Sequence, residues 1–351
     1  MKKFIYLFAA AAMLLSGCGK DEDICLTITS GNELTFSGEG GSQQVTIESN
    51  ANWEVAGSNE WVTVTPTKGS GDGAFTVTIA ENYDANREQT LTVTYGMQNA
   101  TVKVSQTAAT SIEYAGETYG IAKMKDGRIW MTENLRYVPS GKTPSSNPAD
   151  GNGIWYPTGS DGKAATDAAS VKAKGYLYDY ATILGKEVNA DNFKNNEGAQ
   201  GICPDGWYIP TRADFVALCG NSTKAEGETE ALVDETAAYY DKGYNGAKIT
   251  ALDADNFNWQ FAGMINRTDA TKTGSYLTVV TKESTCSVAD YMGNPAMTYL
   301  MGSTGYAVNA KNKNIQFFGM MSTFTKTYLE GRLTCGYSNY LAGQSLRCIK
   351  K

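Results

Sequence analysis

Between Leu34 and Gln106 apolar side chains recur two positions apart in five short runs, and this period leaves little but β-structure open to that part of the chain. The runs are Val45 and Ile47 in QQVTIES, Val62 and Val64 in WVTVTP, Phe75, Val77 and Ile79 in AFTVTIA, Leu91, Val93 and Tyr95 in TLTVTYG, and Val102 and Val104 in TVKVSQT. Successive side chains of a strand point to opposite faces, so each run buries one face and leaves the other to water. Between them SGEGGS, TKGSGDG and YGMQN supply the residues that tight turns require. Five or more short strands at this spacing predict a β-sandwich. Trp53 shares a face with Val55 and is expected in the core. Trp61 lies on the face opposite Val62 and Val64, where it either packs or stacks a sugar, packing being the favoured reading.

The same stretch carries a resemblance. NANWEV, followed by EWVTVTPTKGSGDGAFTVTIAENYDANREQTLTVTYGMQNATVKVSQT, resembles a BACON domain in its paired Trp53 and Trp61, its ENYDANR turn and its closing Gln106. That resemblance implies an all-β, immunoglobulin-like sandwich over residues 32–107 and associates the module with carbohydrate binding.

The first seventeen residues read as a leader. MKKFIYLFAAAAMLLSGC has two lysines, an apolar run and a small-residue exit. The run from Phe4 to Leu15 is too short to cross about 30 Å of hydrocarbon, and Leu15-Ser16-Gly17-Cys18 resembles a bacterial lipobox. Residues 1–17 are therefore expected to be a signal peptide and Cys18 the lipidated N-terminus, with several acyl chains making a durable membrane anchor. Residues 18–31 form an acidic tether. Its GKDED cluster resembles the export tag of surface lipoproteins of the Bacteroidota, although a solvated linker explains it as well. The expected location is the outer membrane, facing outward.

TAATS, residues 107–111, reads as a linker, and a second domain is expected over residues 112–351. In YGIAKMKDGRIWMTENLRY, Asp126-Gly127 separates two strand-like runs and signals a hairpin. In GICPDGWYIPTRADFVAL, Thr211 and Asp214 stand three apart ahead of Phe215 and Leu218, so the hydroxyl and the carboxylate can cap a helix that begins at Thr211 and ends at Gly220. DGRIWMTENL, GYLYDYATI, CPDGWYIPTRADF and SLRCIKK together resemble the Fibrobacter succinogenes major paralogous domain, FISUMP. The resemblance implies an α+β domain similar to the C-type-lectin and formylglycine-generating-enzyme group, with a small helix-flanked antiparallel sheet and long loops. YLTVVTKESTC departs from the family's Trp-Ser-Ser run.

Setting Cys18 aside, Cys25, Cys203, Cys219, Cys286, Cys335 and Cys348 remain. The FISUMP resemblance implies a Cys203–Cys348 disulfide, in keeping with an oxidising compartment. Cys286–Cys335 is the next pairing expected, both residues lying in the loop-rich final third, and Cys25 is expected to be unpaired.

The chain contains no histidine, which excludes Ser-His-Asp and Cys-His catalysis and the common zinc and facial-triad iron sites. A formal net charge of −7, without clustered Lys and Arg, argues against nucleic acid. DADNFNW, residues 253–259, puts Phe257 and Trp259 where a calcium loop needs ligands, so it is read as a turn; no metal, cofactor or catalytic residue is expected. Aromatic platforms remain, because sugars stack their C–H faces on Trp and Tyr while their hydroxyls seek polar partners. The candidates are Trp155 and Tyr156 in GIWYPTGSDG, Tyr291 and Tyr299, and Tyr337, Asn339 and Tyr340 in CGYSNY, for each of which, taken singly, packing in an aromatic-rich fold is the favoured reading. The expectation is a non-catalytic surface protein that binds a glycan or host glycoprotein. The alternatives are a structural part of a surface filament, held by a protein partner, and, more distantly, a polysaccharide-acting enzyme built on carboxylates.

Overall fold

The computed structural model describes residues 25–159, 161–266, 275–277, 298–308, 315–323, 328 and 330–351, so the expected leader, Cys18, Cys286 and Tyr291 lie outside the described residues. The chain divides into two units, one ending at Ala109 and the other starting at Thr110. No helix among the described residues is long and apolar enough to cross a membrane.

The first unit holds β1 (Leu26–Ile28), β2 (Glu33–Phe36), β3 (Gly41–Ser49), β4 (Asn52–Ala56), β5 (Val62–Thr65), β6 (Lys68–Ser70), β7 (Gly73–Ile79), β8 (Arg87–Tyr95) and β9 (Gln98–Gln106). They form two sheets, ordered β1-β3-β7-β5 and β2-β9-β8-β4-β6. β2 runs parallel to β9 with Leu34 opposite Val104, whereas β3 with β7 and β8 with β9 are antiparallel. One hydrophobic cluster takes side chains from both sheets, which makes the unit an all-β sandwich. Val45, Val77, Leu91, Val93, Val102 and Val104 are fully buried, each contributing about 1.5–3 kcal/mol relative to exposure.

Trp53 is in that core, its Nε1 donating to the Gly71 carbonyl at 3.1 Å. Only glycine fits at position 69, because a Cβ there would lie 2.1 Å from the indole. Trp61 is half-buried beneath the Arg87 guanidinium, 4.4 Å from its ring centroid. Gln106 closes the last strand by donating to the carbonyls of Ser37 and Ala80 and accepting from Arg87 Nε at 2.9 Å.

The second unit holds strands β10 (Ser111–Tyr114), β11 (Glu117–Lys123), β12 (Ile129–Met131), β13 (Ile154–Trp155), β14 (Leu177–Tyr178), β15 (Trp207–Tyr208), β16 (Asn221–Ser222), β17 (Leu232–Val233), β18 (Tyr240–Asp241), β19 (Gly246–Lys248), β20 (Met264–Asn266), β21 (Ser275–Leu277), β22 (Tyr299–Val308), β23 (Ile315–Thr323), β24 (Arg332–Asn339) and β25 (Ile349–Lys350). Its helices are α1 (Ala168–Lys174), α2 (Tyr180–Leu184), α3 (Arg212–Cys219) and α4 (Ile249–Asp253), with a 3-10 turn over Phe193–Asn196. One sheet runs β10-β11-β12-β25-β15, so the C-terminal strand is interior. In the larger sheet β24 pairs with β23 along its length, with β16 at Cys335 and with β19 at Leu333, and β22 pairs with β23.

Other elements pack on both faces of β22, β23 and β24. On one, Phe215 and Leu218 of α3 join Leu300, Phe318, Met320, Leu333 and Cys335. On the other, Tyr180 of α2 stacks on Phe317 at 3.9 Å and Phe193 meets the same ring edge-on. The Asp126-Gly127 hairpin forms as expected, Lys123 facing Ile129. Helix α3 starts after Thr211 and carries the capping box: Thr211 N–H donates to Asp214 Oδ2 at 2.8 Å, and the Asp214 amide donates to Thr211 Oγ1 at 3.2 Å. Gly220 ends it in the left-handed region, at φ +73°.

Cys203 and Cys348 form a disulfide that fastens the approach to β15 onto the approach to β25. The Cys286–Cys335 expectation is corrected: Cys335 is a free, buried thiol, as is Cys219. Both belong to the apolar cluster under α3, where burial pushes the thiols up, Cys219 to about 11, and keeps them protonated. Cys25, expected to be unpaired, is disulfide-bonded.

DADNFNW forms the end of α4 and a turn. Asp253 Oδ1 accepts from the Trp259 amide at 2.7 Å, and Phe257 and Trp259 are buried. Arg347, also fully buried, donates to the carbonyls of Phe257 and Asn258 and, from Nε, to Asn134 Oδ1 at 2.8 Å. Burial lowers its pKa, against the raising fields of Asp253 and Glu133, and the guanidinium stays charged at neutral pH.

Candidate functional site

Beside the start of α3, where Arg212 lies over Phe318, an aromatic row leads from that buried ring to the exposed Tyr337. Phe318 of β23 faces Tyr337 of β24 in the ladder, and Tyr306 of β22 reaches the same place through two register shifts, between Met301 and Gly305 and between Gly305 and Ala307. Tyr306 stands edge-on to Phe318 at 5.2 Å and stacks on Tyr337 at 4.1 Å with 3° between the ring planes. Such pairs are worth about 0.5–1.5 kcal/mol beyond the area they bury, so the row is preorganised. Tyr337 is 39% exposed, more than any other aromatic side chain among the described residues.

The backbone beneath is fixed. A Cβ on Gly305 would meet the Phe193 ring at 2.7 Å, so glycine lets the bulged strand lie against that turn. Ser303 Oγ donates to the Ile209 or Pro210 carbonyl and accepts from the Gly198 amide. Thr304 Oγ1 accepts from the Arg212 amide and donates to Glu197 Oε1, both at 2.8 Å.

Polar groups rim the row. The Arg212 guanidinium lies 4.6 Å from the Phe318 centroid and forks onto Glu228, both contacts at 2.8 Å. That fork, with a bond from the Ala225 amide, holds Glu228 down to about 2. Lys194 pairs with Glu226 at 2.9 Å, and its Nζ is 5.6 Å from the Phe193 centroid. Burial, then Tyr337 and Glu226, raise the Tyr306 pKa, so its hydroxyl remains a neutral donor. An exposed ring flanked by carboxylates and cations can stack an apolar face while exchanging hydrogen bonds with the groups around that face.

The structure separates the other candidates. Trp155 is not a platform: it is fully buried among Leu177, Ala262 and Ile265, its Nε1 donating to the Asn147 carbonyl at 3.2 Å. Tyr156 is half-buried, edge-on to Tyr176 at 5.8 Å. Tyr299, a candidate for stacking a sugar, is corrected to core, packed with Met264 and Ala342. Asn339 and Tyr340 sit half-buried at the turn after β24, Asn339 Oδ1 accepting from the Leu341 amide at 2.9 Å. Tyr306 was not among the expected residues; the only signal for it is Gly305, a glycine inside a strand, which marks a bulge. Among the described residues no group of three or more Cys, Asp or Glu is placed to hold a metal ion.

A family model described as the Fibrobacter succinogenes major domain matches residues 124–350, and a BACON model matches residues 51–107. No curated protein matches the chain. Among solved structures, the Bacteroides ovatus GH5 xyloglucanase in complex with a XXXG heptasaccharide is 24% identical over 26% of this chain and 20% of its own, with a TM-score of 0.25. A protein from Bacteroides thetaiotaomicron is 20% identical over 28% of this chain and 97% of its own, with a TM-score of 0.19. The S-layer protein rSbsC(31-844) is 14% identical over 75% of this chain and 25% of its own, with a TM-score of 0.20.

Proposed function

This chain belongs to the Fibrobacter succinogenes major domain family, with a BACON domain ahead of that domain, and from that premise we propose that it is a lipid-anchored, non-catalytic surface protein whose second unit binds glycan or host glycoprotein. The two families together point to a surface-associated binding protein. The observation that carries the glycan reading is the exposed Tyr337 ring, held parallel to Tyr306, which stands edge-on to Phe318 under the Arg212 guanidinium. A pyranose presents both an apolar C–H face and a ring of hydroxyls, and this surface offers the complement of each. The sandwich serves as the spacer between anchor and site, and the second unit's finer fold resembles the C-type-lectin and formylglycine-generating-enzyme group.

Full-length protein on an array of polysaccharides and mucin is expected to give sugar-dependent binding. Tyr337→Ala should weaken it about tenfold, roughly 1.4 kcal/mol, without lowering the melting temperature. Unchanged binding by that variant, or silence across the array, removes the reading. The anchor rests on the lipobox at Cys18. Cells expressing Cys18→Ala are expected to incorporate no labelled palmitate into the protein and to retain its leader; labelling equal to that of the parent removes the anchor.

A further inference from the structure

The ion pair beside the aromatic row has little to do for the fold. Lys194 and Glu226 are 59% and 58% exposed and join segments 32 positions apart in sequence, and such exposed pairs contribute about 0–1 kcal/mol. Yet the turn that carries Glu226 is held in place. Its neighbour Glu228 accepts from the Ala225 amide at 2.6 Å, returns its own amide to the Ala225 carbonyl at 3.1 Å, and is gripped by the Arg212 fork, so the turn carrying Glu226 is pinned to the start of α3. Lys194 sits on the Phe193–Asn196 turn, against whose phenyl ring Gly305, the residue before Tyr306, is packed. Tyr306 and Ala225 pack against one cluster, and the Glu226 charge reaches the Tyr306 hydroxyl. An acceptor and a donor thus stand 2.9 Å apart on two anchored turns, one packed against Gly305 beside Tyr306 and the other within reach of the Tyr306 hydroxyl.

We infer that Lys194 and Glu226 form the polar half of the Tyr306–Tyr337 site and recognise two adjacent hydroxyls of a pyranose whose C–H face lies on the tyrosines. The inference rests on the glycan reading and adds to it the ligand's chemistry. One hydroxyl donates to the Glu226 carboxylate while the oxygen next to it accepts from the Lys194 ammonium, so a vicinal diol slots between partners that already face each other. Hydrogen bonds to charged groups are stronger than neutral ones, and a preset pair loses little freedom on binding. A carboxamide at position 226 keeps an acceptor oxygen, whereas alanine does not.

The test takes the tightest-binding polysaccharide from the array, before and after mild periodate oxidation, which cleaves vicinal diols, and measures its affinity for full-length parent, Glu226→Ala, Glu226→Gln, Lys194→Met and Tyr337→Ala. Expected are at least tenfold losses for Glu226→Ala and on oxidation of the probe, about fivefold for Lys194→Met, and less than threefold for Glu226→Gln, all at unchanged melting temperature. If Glu226→Ala and Lys194→Met bind as the parent does while Tyr337→Ala loses affinity, the diol inference fails and the glycan reading stands. A melting temperature lowered in step with affinity makes the pair structural and also overturns the inference. If Tyr337→Ala binds as the parent does, or no polysaccharide binds, the glycan reading falls and the inference with it.

Discussion

Replacing Cys203 and Cys348 together by serine is expected to destabilise the second unit by about 4–5 kcal/mol. The bridge spans a sequence separation of 145, and in the chain-entropy account a cross-link restricts the unfolded chain more as the closed loop grows. Both sulfurs are buried, so the serine hydroxyls would enter an apolar setting and add to the loss. A domain is commonly stable by only about 5–15 kcal/mol, which brings the variant close to unfolding at growth temperature. Urea titration of the parent with and without reductant, and of the double variant, measures the effect. A midpoint that reductant leaves unmoved would show that the sheet holds without its staple.

Arg347→Met should cost the same unit about 3 kcal/mol or more, because three acceptors lose their common donor at about 1–3 kcal/mol each. The guanidinium is the donor for the Phe257 and Asn258 carbonyls and for Asn134 Oδ1, and it lies 4.7 Å from the Phe257 ring centroid. Methionine fills the volume but leaves those acceptors without that donor, each at about 1–3 kcal/mol. Asn134 spreads the damage, because its Nδ2 also donates to the Lys174 carbonyl and Ser345 Oγ. Arg347→Lys should recover less than half, since an ammonium cannot reproduce the planar fork. Unfolding curves for the two variants check this, and a loss below about 1 kcal/mol for methionine would mean that the turn finds other donors.

Local rules were readable where one face of an element meets water. Val45 and Ile47, Val62 and Val64, and Leu91 and Val93 alternate with exposed or half-buried neighbours in the structure as in the sequence. The Thr211–Asp214 box and the Asp126-Gly127 hairpin depend on residues within a few positions of each other, so they too were legible. The candidate site was legible only at Tyr337. β22 and β23 are covered on both faces, which erases the alternation that would have said which way Tyr299 and Tyr306 point, and the shifts around Gly305 move Tyr306 by an amount that no periodicity encodes. Trp155 failed as a candidate because an aromatic beside proline and glycine looks like a loop, whereas β13 pairs with β14 and buries it. Cys335 failed because two thiols in one region of sequence say nothing about which face of a strand each occupies.

The interior placement of β25, between β12 and β15, sets an order of events. A ribosome delivers Trp130 and Tyr208 long before Ile349, the residue both of them flank, so their sheet stays split until the last strand of the unit has been made. Nascent chain cannot complete this domain one hairpin at a time, and until Ile349 emerges the sheet stays open down its middle.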